Sequence, residues 1–394
     1  MDFRKPVLMT ICSLGALASM AGLYGDTPDA KHAWAVHDHN RPNPPKVTAD
    51  PGKAPSDAVI LFDGSNLNAW ESTKKGGGPA KWKIVEDGGM EVVPKTGAIR
   101  TKESFGDCQL HIEWASPKEV KGMGQGRGNS GVFLMGMYEV QVLDSYETHT
   151  LPDGSNKNPC YADGQASSVY AENPPLVNAC RLSGEWQTYD IIFHQPIWDG
   201  NTLVYSGSVT VIHNGVLTQD HWEMEGLSTH CRRRALKPHP AKLPFSLQDH
   251  GNPTRFRNIW IREIPSRYAN TTHGGPAACE KDVTALRQKT AKALFAKADP
   301  GDANKKAVLD RMLEVISYDK ADQYMKIIDD LGKAYIAELN AMDKGAIQGK
   351  KGDVLSLKKA CDVLIRNKVV PENFYLKAEL VKIIKANGFD KKKK

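Results

Sequence analysis

Between residues 58 and 264 apolar side chains recur at every second position, and beyond residue 280 they recur at every third or fourth. Leu110, Ile112 and Trp114 alternate with Gln109, His111 and Glu113, which predicts a strand over 107–115 with one buried face. Similar texture predicts strands beginning near Ala58 and over 81–86, 89–93, 186–194, 209–213, 245–250 and 256–264. Asn214-Gly215 is a strong hairpin signal, and Asp63-Gly64-Ser65-Asn66 is a turn sequence. Many short strands with turn signals at short intervals imply two packed antiparallel sheets, a mainly β jelly-roll sandwich. After residue 280, Val308, Leu309, Met312, Leu313 and Ile316, then Met325, Ile328 and Leu331, follow helical spacing, with Asp299-Pro300-Gly301-Asp302 and Pro371 as breakers. The expected organisation is a β-sandwich over 58–265, a linker over 266–280 and a bundle of four or five helices over 281–394.

Composition refines this picture at the ends. Arg4 and Lys5 precede an apolar run from Pro6 to Leu23, so residues 1–25 are expected to be a secretory signal peptide and the protein to be secreted or periplasmic. Residues 26–57 are rich in Pro, Asp, His and Lys without periodicity and are expected to be a linker or N-terminal arm. Charge is uneven: +1 for 1–25, −3 for 26–279 and +8 for 280–394. The basic excess has no interleaved aromatics, which argues against a nucleic-acid partner, and no membrane contact beyond the leader is expected. The helical tail carries no chemical constellation and suits packing or a protein partner. Six cysteines remain after the leader; Cys160 and Cys180 are the expected disulfide, Cys108 reads as a buried small hydrophobe, and the absence of C-x-x-C makes structural zinc improbable.

The stretch Arg127 to Ser145 sets polar groups at strand spacing inside an apolar run, with Gly136 as a turn or bulge. Glu139 and Gln141 share a face, and a bulge near Val142 or Leu143 would bring Asp144 to the same side. Two carboxylates and an amide are costly in a dry core, so the trio should line a wet concave surface, unless it sits on an ordinary solvated face.

Four segments carry a family resemblance: L-F-D-G-S-N-L-N-A-W (61–70), N-S-G-V-F (129–133), Y-E-V-Q-V-L-D-S (138–145) and L-Q-D-H-G-N-P-T-R-F-R-N-I-W-I-R-E (247–263). In this order the chain resembles the 3-keto-disaccharide hydrolase family of exported bacterial carbohydrate-active proteins, over roughly 58–265. The resemblance implies a concanavalin-like sandwich acting on an oligosaccharide or glycoside oxidised at C3 by a separate oxidoreductase. Cleavage would proceed by elimination and rehydration, a net hydrolysis.

That chemistry requires a base for the C2 proton, a donor for the enolate oxygen and an acid for the leaving oxygen. Glu139, Asp144 and His250 are the titratable candidates. His250 would share a strand face with Gln248 and reads either as a base near neutral pH or as a structural residue. The same three groups are the candidate ligands of a possible divalent cation, and no other cofactor is expected. Arg127, Asn129, Gln141 and Gln248 suit hydroxyl recognition. Tyr170 falls where the family places a Tyr near the cleft, or packs its loop. Trp186, Trp222 and Trp260 would stack on a sugar or belong to the core. Two other functions stay open: a β-glucanase-like hydrolase of unoxidised glycans, suggested by E-x-Q-x-x-D, and a non-catalytic carbohydrate-binding module.

Overall fold

The computed structural model describes residues 25–149, 151, 153–264 and 276–390, the side chains of 276–282 excepted. It falls into two compact units, one made of the chain up to Pro44 together with Pro276 onward, the other of Pro45–Gly275.

The second unit is the sandwich. Its larger sheet has the order β13-β12-β9-β6-β15-β4-β3, with β1 added alongside β15. These strands are β1 (Val59–Phe62), β3 (Lys83–Ile84), β4 (Met90–Glu91), β6 (Cys108–Ala115), β9 (Gln187–His194), β12 (Ser208–His213), β13 (Val216–Glu223) and β15 (Arg255–Glu263). The smaller sheet runs β2 (Trp70–Ser72), β5 (Ile99–Thr101), β14 (Ser246–Leu247), β7 (Ser130–Leu134) and β8 (Tyr138–Val142). A separate hairpin pairs β10 (Ile197–Asp199) with β11 (Thr202–Tyr205).

Alternation explains the layering. In β6 the residues Cys108, Leu110, Ile112 and Trp114 are buried while Gln109, His111 and Glu113 are only partly so. One apolar cluster takes Trp114, Tyr189, Phe193 and Phe256 from the large sheet and Ile99, Val132, Leu134, Val140 and Val142 from the small one, as a sandwich requires. Burying each such side chain is worth about 1.5–3 kcal/mol. Asn214 and Gly215 make the expected two-residue hairpin, with φ of 54° and 81° and His213 paired to Val216.

The first unit contains α1 (Pro276–Phe295), α2 (Lys305–Tyr318), α3 (Asp322–Asn340), α4 (Lys344–Gly349), α5 (Lys351–Arg366) and α6 (Tyr375–Asn387), six helices among the described residues where four or five were expected. Asn304 caps α2 through the Ala307 amide, and Asp343 caps α4 through Gly345 and Ala346. α1 begins five residues before the expected bundle, and 266–275 of the expected linker lie outside the described residues.

Residues 25–44 are not a free linker: Trp34 packs against the helical core, Asn40 Nδ2 donates to Glu314 Oε1 at 2.6 Å, and the Tyr318 hydroxyl donates to Asp38. The expected signal peptide lies outside the described residues, apart from Gly25. Among the described residues no helix is long and apolar enough to cross a membrane. Cys108 is buried as expected, whereas Cys160 and Cys180 are free thiols. The Cys160 sulfur lies 3.3 Å from Gln125 Nε2 and the Cys180 sulfur 3.7 Å from the Leu143 carbonyl, so each has its own local contact.

Candidate active site

The site is built on the outer face of the small sheet. β7 and β8 are joined by a turn in which Met135 and Gly136 both take positive φ, and their register runs from Leu134–Tyr138 to Ser130–Val142 without a shift. Val132, Leu134, Val140 and Val142 enter the core, so the period of two sends Gly131, Phe133, Glu139 and Gln141 to the opposite face. On one side β14 sets Ser246 against Phe133, and the Gln248 backbone N–H donates to the Gly131 carbonyl at 3.0 Å. On the other, the loop 167–170 pairs with β8: Gln141 N donates to Ser168 O and Tyr170 N to Glu139 O, both at 3.0 Å. Directly paired residues share a face. Two rows result, Ser246–Phe133–Glu139–Tyr170 and Gln248–Gly131–Gln141–Ser168.

Gly131 is the low point of this floor. A Cβ there would lie 2.2 Å from Glu139 Oε1 and 2.9 Å from the Phe133 ring, so the missing side chain is the space into which the carboxylate leans. Glu139 is 5% exposed and has no hydrogen-bond partner for its carboxylate among the described residues. Burial without compensating donors lifts its pKa to about 8. Two further buried polar atoms lack partners in the lower row, Ser168 Oγ and Gln248 Oε1. Gln141 Nε2 donates to Asn129 Oδ1 at 3.2 Å, and Asn129 Nδ2 to the Gln125 carbonyl at 2.8 Å, which fixes both amides.

Asp144 is not in this group. The expected bulge is absent because the register carries no extra residue; β8 ends at Val142, and Asp144 N donates to the Arg127 carbonyl. Its carboxylate accepts from Arg127 Nε at 2.8 Å and from Ser183 Oγ at 2.5 Å. Arg127 spends its remaining fork on Glu147 at 3.1 Å and Ser183 at 3.2 Å, so this acid and guanidinium saturate one another in the interior. His250 also departs from expectation. β14 stops at Leu247, where the Asp249 carboxylate takes the amides of Gly97 and Gly251, and the strand periodicity does not reach His250. The imidazole is exposed and has no hydrogen-bond or ion-pair partner among the described residues. Among those residues no three His, Cys, Asp or Glu groups converge, so Glu139, Asp144 and His250 do not form a cation site.

The tryptophans do not line the floor. Trp222 and Trp260 lie in strands of the large sheet, Trp222 donating to Glu172 and Trp260 stacking on His111, while Trp186 lies beneath Arg257, 4.1 Å from its ring centroid.

Tyr170 stands beside Glu139 and opens a second space. Its hydroxyl is 2.9 Å from the Tyr161 hydroxyl and 3.0 Å from His230 Nδ1. A cavity of about 340 Å³ is lined there by Tyr161, Asp163, Tyr170, His230, Cys231 and Arg232, among others. Tyr161, Ser168 and His230 had no signal in the sequence, since they come from non-periodic loops.

Residues 57–262, just over half of the chain, match the family model described as the 3-keto-alpha-glucoside-1,2-lyase-like domain. The chain belongs to this family. At that level the 3-keto-alpha-glucoside-1,2-lyase-like domain is a glycoside-acting, glycosidase-like enzyme domain. It is similar to a solved protein of Parabacteroides distasonis provisionally described as a glycosyl hydrolase, with 45% identity and a TM-score of 0.52 over 57% of this chain and 93% of that one. A second protein of that organism with the same description shares 19% identity and a TM-score of 0.38 over 53% and 94%. Bacillus licheniformis β-glucanase shares 13% identity and a TM-score of 0.24 over 55% of this chain and all of its own. No curated protein matches the chain.

Proposed function

We propose that the domain cleaves 3-keto-glycosides, disaccharides included, by C2 proton abstraction, elimination of the C1 substituent and rehydration, with Glu139 as the base. The observation that carries this reading is a buried carboxylate without internal donors, aimed over Gly131 between polar atoms that also lack partners. A ketone at C3 acidifies the C2 hydrogen, so a single well-placed base can form the enolate. A carboxyl titrating at about 8 is a stronger base, once ionised, than one in the usual range. Fewer sites are ionised at pH 7, so turnover should rise as pH approaches 8.

The Gln248 side-chain Oε1 and the Ser168 hydroxyl supply uncommitted hydrogen-bonding groups for the ketone and neighbouring hydroxyls, while Gln141 and Asn129 hold the floor. The ketone has to be installed beforehand by a separate sugar oxidoreductase. The leader pattern at 1–25 supports action outside the cytoplasm. Direct hydrolysis by a retaining route needs two carboxyl groups about 5–5.5 Å apart. The Asp144 carboxylate is committed to Arg127 and Ser183, which disfavours that route.

The test is to incubate the purified protein in D₂O with a 3-keto-disaccharide and with its parent sugar, following monosaccharide release and deuterium at C2. Release from the ketone alone, with C2 exchange, is the expected result. Release from the parent sugar without exchange would sink the elimination reading.

A further inference from the structure

The cavity beyond Glu139 has chemistry the proton abstraction does not use. Resting on the reading above, we propose that it receives the departing half of the glycoside, a single hydroxyl-bearing sugar ring, and that Tyr170 protonates the glycosidic oxygen while His230 restores the Tyr170 proton.

Placement is the first reason. The C2–H bond and the C1–O bond that breaks are on adjacent carbons, so base and acid must stand side by side. Glu139 and Tyr170 are directly paired across two adjacent segments, β8 and the loop 167–170, and in such pairs Cβ atoms are about 4.5–5.5 Å apart. The second reason is connectivity. The Tyr170 hydroxyl lies between the Tyr161 hydroxyl at 2.9 Å and His230 Nδ1 at 3.0 Å, and the His230 side chain is exposed, so the chain of groups runs from the cavity to solvent. The third is the lining. About 340 Å³ suits one ring and ordered water, with Asp163 as acceptor and Arg232, which no carboxylate pairs among the described residues, as donor. Arg233 is held by Glu225, and the Cys231 sulfur lies 3.1 Å from His230 Nε2.

The proton balance closes. The C2 proton passes to Glu139, the electron pair of that C–H bond forms the enolate, and the C1–O bond breaks with its pair going to oxygen. Oxygen takes the Tyr170 proton, the tyrosinate takes one through His230 Nδ1, and the ring is refilled from solvent; on rehydration water adds its hydroxide to C1, Glu139 returns its proton to C2 and the remaining water proton goes to solvent, so the enzyme ends as it began. On this scheme Tyr170 is a catalytic residue and His230 a positioning residue acting through it.

The experiment compares wild type with His230→Gln and Tyr170→Phe on two ketones, a 3-keto-disaccharide and a p-nitrophenyl 3-keto-glucoside whose leaving group needs no proton. Both variants should lose about 100-fold in kcat on the disaccharide but about threefold or less on the nitrophenyl substrate, within the usual range for acid catalysis. Equal losses on both substrates, or no loss on either, would overturn the assignment. Added imidazole should restore His230→Ala on the disaccharide, and failure to do so in a variant that melts like wild type counts against the relay. Arg232→Ala should raise KM for the disaccharide several-fold without lowering kcat; an unchanged KM would empty the cavity of its sugar. If wild type turns over neither ketone, the elimination reading fails and takes this one with it, whereas normal wild-type turnover with equal losses removes only the acid and its cavity.

Discussion

Glu139 and Asp144 are five residues apart and both buried, yet their surroundings are opposite. Asp144 has a guanidinium and a hydroxyl on its carboxylate, and the guanidinium has a second acid and the same hydroxyl in turn. Glu139 has no side-chain donor and faces a glycine. A saturated buried ion pair is a fastening that leaves nothing over for a ligand, and its worth is seen when one partner is removed. A buried carboxylate without partners is an unfavourable arrangement for folding, and it persists where a ligand or a reaction uses it. Burial thus does not distinguish fastening from site; the accounting of partners does.

The sharpest way to break this contrast is Asp144→Asn. It leaves Arg127 short of a charge in the interior, and the expected loss is about 3–5 kcal/mol of stability with little change in kcat of the folded fraction, read by denaturant unfolding beside turnover. A large kcat loss without a stability loss would move Asp144 into the chemistry. Gly131→Ala should behave in the reverse sense. The new Cβ displaces the end of a flexible side chain, so about 10- to 100-fold in kcat should disappear for a stability change of about 1–3 kcal/mol. Turnover at the wild-type level would show that the position of the Glu139 carboxylate does not matter.

A further test is stability against pH. The Glu139 pKa lies above the value of about 4.3 for an unfolded chain, so between those values the unfolded state releases the proton while the folded state keeps it. Stability from this group is therefore complete below about pH 4.3 and declines as pH rises towards 8. Glu139→Gln should melt like wild type at acid pH and higher than wild type near pH 8. A gap that does not widen with pH would show that the carboxyl is not held in its protonated form.

Much of the sandwich was legible because one-sided burial writes itself as alternation, and the strand expected over 107–115 is β6. What alternation could not supply is where a strand stops. β14 is two residues long because the Asp249 side chain and the Gly251 turn take over, and that removed the face on which His250 was placed. The same limit undid the bulge, since β8 simply ends and Asp144 follows its cation. That Glu139 and Gln141 share a face was readable from the period of two alone. Ser168, Tyr161 and His230 were not, because their positions come from loop contacts with β8 rather than from any spacing. The β10–β11 hairpin and the six-residue α4 are too short for periodicity to register. Residues 25–44 carry no pattern because their order comes from single contacts with helices far along the chain, such as Asn40 with Glu314.

The most direct measurement isolates the proton step: exchange of the C2 hydrogen for solvent deuterium, followed by NMR, on 1,5-anhydro-3-keto-glucitol, a ketone with no glycosidic leaving group. Wild type should exchange it rapidly, Asp144→Asn and His250→Ala at comparable rates, and Glu139→Gln about 1000-fold more slowly. Exchange by Glu139→Gln at the wild-type rate would contradict the assignment of Glu139 as the base.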